Sequence, residues 1–313
     1  MRQHGLVHET DDFLDPAVAA RVEHLQGVSV EQFFTVGVDA PPVAEVPPVD
    51  GVRWEALEVD APDGPVPVRR YERTDASDGA RPCLVWCHGG GWGLGNLDMP
   101  EAHVVSQRTA STLDAVVYSV GYGLAPDHPY PVPQEQIVAV FEHAVADPAV
   151  DPTRIALGGA SAGGHLAACA AHRLKVAEAP LAAVFLAYPA TDPVDGPYPD
   201  RKPDACPELI WFDGPKLATL FAKHTGTAPP PTGAVPALLD PAGLPPTLVT
   251  TVPLDSLRPQ AETYVDLLAD AGVDVEHHEV RHVLHGYLDM TGSVAIADAA
   301  LDRHLAWLGD VLR

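Results

Sequence analysis

Basic residues are scarce in this chain: 19 Lys and Arg stand against 43 Asp and Glu among 313 residues, a formal net charge of −24. A surface so negative repels phosphate backbones and anionic lipid headgroups, which argues against nucleic acid and membrane as partners and leaves solubility as the plain account of the acidity. Cysteine is scarcer still, at Cys83, Cys87, Cys169 and Cys206 only. That density is far below a disulfide-stapled secreted domain, so free thiols are expected. No uninterrupted apolar run approaches the roughly 20 residues of a membrane-spanning helix. The first dozen residues lack the apolar core and small-residue cleavage site of a secretory signal, so the expected location is the cytoplasm. No repeat of fixed period is visible.

What is present is a chain that is 46% hydrophobic, enough to bury a substantial core in one large domain with a small appendage. Asp15 as N-cap and Pro16 in the first turn predict a helix with Val18, Val22 and Leu25 on one face, ending at Gly27. A poorer segment from Ser29 to Phe34 follows, then the stiff pairs Pro41-Pro42 and Pro47-Pro48. Trp54 to Val59 and Val66 to Tyr71, separated by Pro62-Asp63-Gly64, read as an antiparallel pair. From Cys83 onward, strands expected at 83–87, 115–120, 154–158, 181–187, 246–252 and 273–280 alternate with helices at 100–112, 132–146, 162–176, 258–271 and 294–312. Such alternation is the signature of an α/β fold, a mostly parallel sheet covered by helices on both faces. It is interrupted once, between Pro189 and Pro246, by a proline-rich segment holding Tyr198, Trp211, Phe212 and Phe221. A connection so long reads as a lid or inserted subdomain, its aromatics packing its own small core or meeting substrate.

The stretch Gly159-Ala160-Ser161-Ala162-Gly163-Gly164 sits where a strand gives way to an alanine-rich helix. A sharp strand-to-helix turn lifts a serine hydroxyl out of the fold, and the flanking glycines remove the side chains that would block it. Ser161 is therefore a candidate nucleophile. A serine hydroxyl needs a base and a group to orient that base. His285 lies between the last predicted strand and the last helix, and Asp255 follows the strand Thr247 to Val252. Both positions are carboxyl ends of strands, where open parallel sheets collect their site residues. Asp240 and Asp266 are weaker candidates for the acid. A zinc pair at His282 and His285 lacks a partner ligand at helical spacing, and no metal is expected. His88-Gly89-Gly90-Gly91-Trp92 directly follows a strand, and its glycines let backbone N–H groups approach a ligand. The Gly89, Gly90 and Ala162 amides are the expected oxyanion hole. A phosphate loop would need a following lysine and serine or threonine, which are missing.

On these motifs, together with Leu124-Ala125-Pro126-Asp127-His128-Pro129-Tyr130-Pro131, Tyr188-Pro189-Ala190-Thr191-Asp192 and Asp255-Ser256-Leu257-Arg258, the chain resembles the bacterial hormone-sensitive-lipase-like (family IV) carboxylesterases of the α/β-hydrolase fold. The resemblance implies an eight-stranded sheet with a small helical cap. The cap would comprise residues 1–50 and 191–235, and the catalytic domain 51–190 and 236–313. It also implies short- to medium-chain carboxylic esters as substrates, no cofactor, tolerance of bulky alcohol groups, and dimers through the final strand and helix. His88, Trp92 and Tyr188 are taken as substrate-binding. A lyase or dehydratase-like enzyme, or a small-molecule receptor, is the alternative on the same scaffold.

Three positions depart from the family pattern. The family has an acidic residue at Ala160, an arginine at Gly123 and an asparagine at His165. His165, four residues along the helix from Ser161, reads either as a polar group supporting the serine from behind or as a plain surface histidine, the latter favoured. The other two departures are read as linked, because losing a carboxylate and an arginine together leaves no unpaired buried charge. Ala160→Asp alone is expected to lower the melting temperature by several degrees, and a temperature unchanged or raised in a thermal scan would break the link.

Overall fold

In the computed structural model, residues 13–25 and 48–313 are described. Every residue of β3 (Arg81–Cys87) is buried, and this strand stands inside an eight-stranded sheet ordered β1-β2-β4-β3-β5-β6-β7-β8. Strands β1 (Val52–Val59) and β2 (Val66–Arg73) form the expected antiparallel pair, and β2 is also antiparallel to β4 (Val116–Val120). From β4 onward through β3, β5 (Val150–Ala160), β6 (Leu181–Ala187), β7 (Thr247–Thr251) and β8 (Val275–Glu279), all neighbours are parallel. Parallel strands need crossovers, and the helices supply them.

Strand period sorts the core into two layers. Cys83, Val85, Cys87, Ile155, Leu157, Val184 and Leu186 face one way, with side chains of α3 (Val132–Ala146), α4 (Ala162–Val176) and α6 (Arg258–Asp270). Leu84, Trp86, Ala156, Ala160, Ala183 and Phe185 face the other, with α2 (Pro100–Leu113), α7 (Ala295–Val311) and the N-terminal α1 (Pro16–Val22). Cys83 and Cys87 are core residues, as their spacing implied, and all four cysteines are free and buried.

Asp15 caps α1 by accepting from the Ala17 N–H at 2.8 Å, and a short 3-10 turn continues it over Glu23–Leu25. The segment Ser29 to Phe34 lies outside the described residues. The insertion contains a helix that sequence reading missed, α5 (Gly214–Thr225), capped by Asp213 and closed by Gly226 at φ 66°. Its aromatics do not form a core of their own. Phe221 packs on the rings of Trp92 and His165, and Phe212 meets the His285 ring edge at 5.7 Å. Among the described residues no helix is long and apolar enough to cross a membrane.

Candidate active site

The turn from β5 into α4 places Ser161 at φ 53°, ψ −118°, outside the regions favoured by L-residues. A conformation like this costs of order 1–3 kcal/mol and persists only where its surroundings enforce it. Here the enforcement is close backbone approach. A Cβ at Gly163 would lie 2.2 Å from the His88 carbonyl oxygen and 2.3 Å from that of Cys87, and one at Gly159 would lie 2.4 Å from the Gly163 carbonyl oxygen. The Ser161 N–H donates to the Ala187 carbonyl at 2.9 Å, tying the turn to the end of β6.

The three residues picked from sequence converge. Ser161 Oγ lies 2.8 Å from His285 Nε2, and His285 Nδ1 lies 2.7 Å from Asp255 Oδ2. With Nδ1–H donating to the carboxylate, Nε2 is the acceptor for the serine hydroxyl. An isolated parallel bridge between Leu254 and Leu284 sets the acid and base side by side, one residue further on. Asp255 Oδ1 accepts from the Leu257 N–H at 2.9 Å, which fixes the carboxylate. Asp255 is 1% exposed and His285 9% exposed. The carboxylate is therefore shut away, while the imidazole keeps an opening. Burial pulls the His285 pKa down, but attraction to Asp255, its hydrogen bond, and the more distant Glu101 carboxylate outweigh it and hold the value above the ordinary one.

The weaker acid candidates are not brought here: Asp240 binds the Ala242 N–H, and Asp266 is exposed on α6. The neighbouring histidines have other partners. His282 Nδ1 lies 3.1 Å from the Phe13 carbonyl and its ring stacks on Phe13; His277 bonds Thr251, and His278 bonds His304 and Glu276.

Five readings from sequence are corrected, at Gly89, His88, Trp92, Tyr188 and His165. The Gly89 amide is not available to a substrate, because it donates to Glu101 Oε1 at 2.5 Å. No described residue accepts from the Gly90, Gly91 or Ala162 amides. Gly90 at φ 115° and Gly91 at φ 58° adopt backbone that glycine alone takes easily. Next, His88, Trp92 and Tyr188 are buried behind the site instead of lining it. His88 stacks on Tyr122 at 4.4 Å with its Nδ1 2.7 Å from the Gly89 carbonyl, and burial lowers its pKa to about 4. Tyr188, at φ 38°, sends its hydroxyl to Glu101 Oε2 at 2.9 Å and its ring edge against His285 at 5.0 Å. Trp92 donates its indole N–H to His165 Nδ1 at 3.0 Å.

His165, the fifth correction, is fully buried one helical turn below Ser161, with Nε2 donating to the Ala234 carbonyl at 2.7 Å. It joins the nucleophile helix, the glycine loop and the return of the insertion. Burial lowers its pKa to about 4, so it acts as a neutral bridge.

Sequence reading also missed Glu101, Gly91 and Phe212. Glu101 reads in sequence as an ordinary acid in the first turn of a helix, and Gly91 carries no mark that separates it from Gly89 and Gly90. Phe212 was noted only as one aromatic among several; its amide N–H donates to Ser256 Oγ at 3.0 Å, beside the acid. At the two family departures, Ala160 is fully buried in an apolar layer, and the place of a side chain at Gly123 is filled by His128, 2.6 Å from where a Cβ would sit.

A strained serine between a buried strand and a helix, bonded through histidine to a carboxylate at the next strand ends, defines a serine hydrolase on an α/β scaffold. The comparisons with known proteins agree. A family described as alpha/beta hydrolase fold matches residues 84–289. Esterase LipI of Mycobacterium tuberculosis is 35% identical over 272 residues, covering 82% of this chain and 81% of that protein. Carboxylesterase NlhH of the same species is 36% identical over 258 residues, 78% and 77% of the two chains. Among solved structures, a bacterial heroin esterase superposes with a TM-score of 0.80 at 29% identity over 97% of this chain and 99% of its own. An esterase of Pyrobaculum calidifontis gives 0.80 at 27% identity, over 95% and 98%. The chain belongs to the hormone-sensitive-lipase-like branch of the α/β-hydrolase family and is a serine carboxylesterase; the lyase and receptor readings are not favoured.

Because the Gly163 Cβ clash is with backbone on both sides, Gly163→Ala has no cheap relief. It is expected to cost about 3 kcal/mol or more and to lower activity with stability, measured by chemical denaturation alongside ester turnover.

Proposed function

We propose that Ser161 is the nucleophile, His285 the general base and then acid, and Asp255 the group that orients and stabilises the imidazolium. The observation that carries this reading is the unbroken chain from Ser161 Oγ through His285 to Asp255, at 2.8 and 2.7 Å. As Ser161 Oγ attacks the ester carbonyl, its proton passes to His285 Nε2, and the carbonyl oxygen becomes an oxyanion. The Gly90, Gly91 and Ala162 amides receive it, helped by the N-terminus of α4, and losing one such donor typically costs ~3 kcal/mol of transition-state stabilisation. His285 then gives the proton to the leaving alcohol oxygen. Water, activated by the same imidazole, attacks the acyl-enzyme carbonyl and releases the acid, restoring Ser161.

The substrates are proposed to be short- to medium-chain carboxylic esters, with room for bulky alcohols. Residues 191–235, with the N-terminal 1–50, are proposed to form the cap that selects them. Support comes from Phe212 beside His285 and Phe221 against Trp92, which bring the insertion onto the site. A homodimer through β8 and α7 suits the position of β8 at the sheet edge, whose unpaired backbone groups offer a template for a second copy. A cytoplasmic setting suits four free, buried thiols.

Ser161→Ala is expected to reduce hydrolysis of a short p-nitrophenyl ester by at least about a thousandfold and to abolish labelling by an organophosphonate. Circular dichroism and melting temperature should stay as in the wild type; retained turnover or labelling at another residue would remove the serine from its role. The pH dependence has a fixed sign. The reaction needs neutral His285, whose pKa is raised, so kcat/KM should fall on acidification through a midpoint above that of an ordinary histidine. A pH–rate profile with its acid limb below that value would contradict the arrangement.

A further inference from the structure

Glu101 is a buried carboxylate that the acyl-transfer steps above do not use. It lies in the first turn of α2, 3% exposed, and makes two hydrogen bonds to segments that flank Ser161. Oε1 accepts from the Gly89 N–H at 2.5 Å, and Oε2 accepts from the Tyr188 O–H at 2.9 Å. Its backbone carbonyl also accepts from Trp86 Nε1 at 2.7 Å, so the residue is itself anchored to β3. Gly89 is the residue before the two glycines whose amides have no acceptor among the described residues. A Cβ there would meet Glu101 Oε1 at 2.5 Å and Ser161 Cβ at 3.2 Å, so the loop is held between the carboxylate and the nucleophile. Tyr188 directly follows β6, and its ring edge abuts His285 at 5.0 Å and Tyr287 at 5.1 Å. One carboxylate thus grips the glycine loop and the wall of the imidazole together.

Resting on the catalytic reading above, we infer that Glu101 is a positioning residue for ester hydrolysis: it holds Gly89 and Tyr188 so that the Gly90 and Gly91 amides and the His285 ring keep their places around Ser161, and it acts on His285 as a second carboxylate beside Asp255. It touches no substrate, because both oxygens are spent on protein donors.

The charged and titratable groups around it come from six elements. Asp289, in the short 3-10 turn after His285, lies near enough for its Oδ1 to reach the Glu101 N–H at 3.4 Å. Arg21 of α1 acts on Asp289 from beyond. Tyr188 and Tyr122 lie after β6 and β4, and His285 with Asp255 lies at the ends of β8 and β7. Burial first, and then repulsion from Asp289, pushes the Glu101 carboxyl up to about 7, against the pull of the Gly89 and Tyr188 donors and of His285. When ionised, Glu101 favours the imidazolium, which raises the His285 pKa and stabilises the charge that develops there as Ser161 attacks.

A structural staple and a positioning carboxylate differ in what Glu101→Gln does. The amide keeps an oxygen for the Gly89 N–H and a group to meet Tyr188 but removes the charge. Wild type, Glu101→Gln, Glu101→Ala and Tyr188→Phe should be compared for kcat, KM and pH profile on a p-nitrophenyl ester, for melting temperature, and for organophosphonate labelling of Ser161. Expected is a loss of kcat of at least about tenfold in Glu101→Ala with KM within about threefold, and recovery of most of that loss by Glu101→Gln at pH about 8.5. The acid limb of kcat/KM should lie at lower pH in Glu101→Gln than in the wild type, and the ratio of the two should be greatest near pH about 7 and shrink again by pH about 5.5, where the wild-type carboxyl is itself protonated.

A Glu101→Gln profile parallel to the wild type, or full kcat in Glu101→Ala, overturns the inference. If neither Glu101 variant folds, Tyr188→Phe decides: it should lose at least about threefold in kcat with KM held, and an unchanged kcat overturns the inference. Labelling separates the two levels of the argument. Folded Glu101 variants that still label at Ser161 confine any failure to Glu101, whereas a wild type that neither turns over nor labels overturns the catalytic reading and this inference with it.

Discussion

Everything at this site depends on how closely the backbone of the serine turn can approach the end of β3. Gly159 and Gly163 lie against the Cys87 and His88 carbonyls at separations no side chain would tolerate. That approach lets α4 start directly over the sheet edge with Ser161 at positive φ. It also brings the glycine loop, which is the continuation of β3, alongside the helix N-terminus. Ser161 and the glycine loop are neighbours because two strands adjacent in the sheet end side by side. The same logic places His285 beside Asp255, since β7 and β8 are adjacent and end in the loops bridged by Leu254 and Leu284. The sheet order is thus the positional cause of the chemistry, and the loops need only short excursions to complete it.

The electrostatics are local, although the chain as a whole is strongly acidic. His285 holds two carboxylates within its field, and their effect exceeds the desolvation that would otherwise keep it neutral at lower pH. His88, His165 and His224, by contrast, have no carboxylate against them, and burial holds all three well below the ordinary value. His88, His165 and His224 serve as neutral donors and acceptors, whereas the carboxylates around His285 favour its charged form. Position alone does not distinguish them, since all are buried within or around the same group of loops.

Reading the sequence recovered the fold almost element by element, because strand and helix periods and Gly-Pro punctuation are local signals. Helices 132–146 and 162–176 and strand 181–187 were read to their observed bounds. Ser161, His285 and Asp255 were legible because each follows a strand, and strand ends are where parallel sheets expose side chains. What escaped was whatever depends on which atom faces which. Three consecutive glycines give no clue that the first amide is taken by Glu101 and the next two are left without an acceptor among the described residues. A tyrosine after a strand and a tryptophan after glycines look like pocket walls until their polar atoms are traced to Glu101 and His165. The surface reading of His165 failed because its helix packs against the sheet on one side and the inserted segment on the other. The inserted segment was itself unreadable, its helix being one amphipathic stretch among prolines.

That segment does more than lie over the site. Phe212 touches the His285 ring and bonds Ser256, next to Asp255. Phe221 packs on Trp92, the residue after the three glycines, and on His165, one turn below the nucleophile. The His224 carbonyl accepts from the Tyr130 N–H at 2.7 Å, and its ring stacks on Trp92. Each part of the machinery therefore has a contact from the insertion, made by packing and neutral hydrogen bonds and not by charge. An insertion docked in this way cannot shift without moving Trp92 or Phe212, and through them the glycine loop or the imidazole. Substitutions within the insertion are then also changes to the surroundings of Ser161 and His285, which share the same few contacts with it.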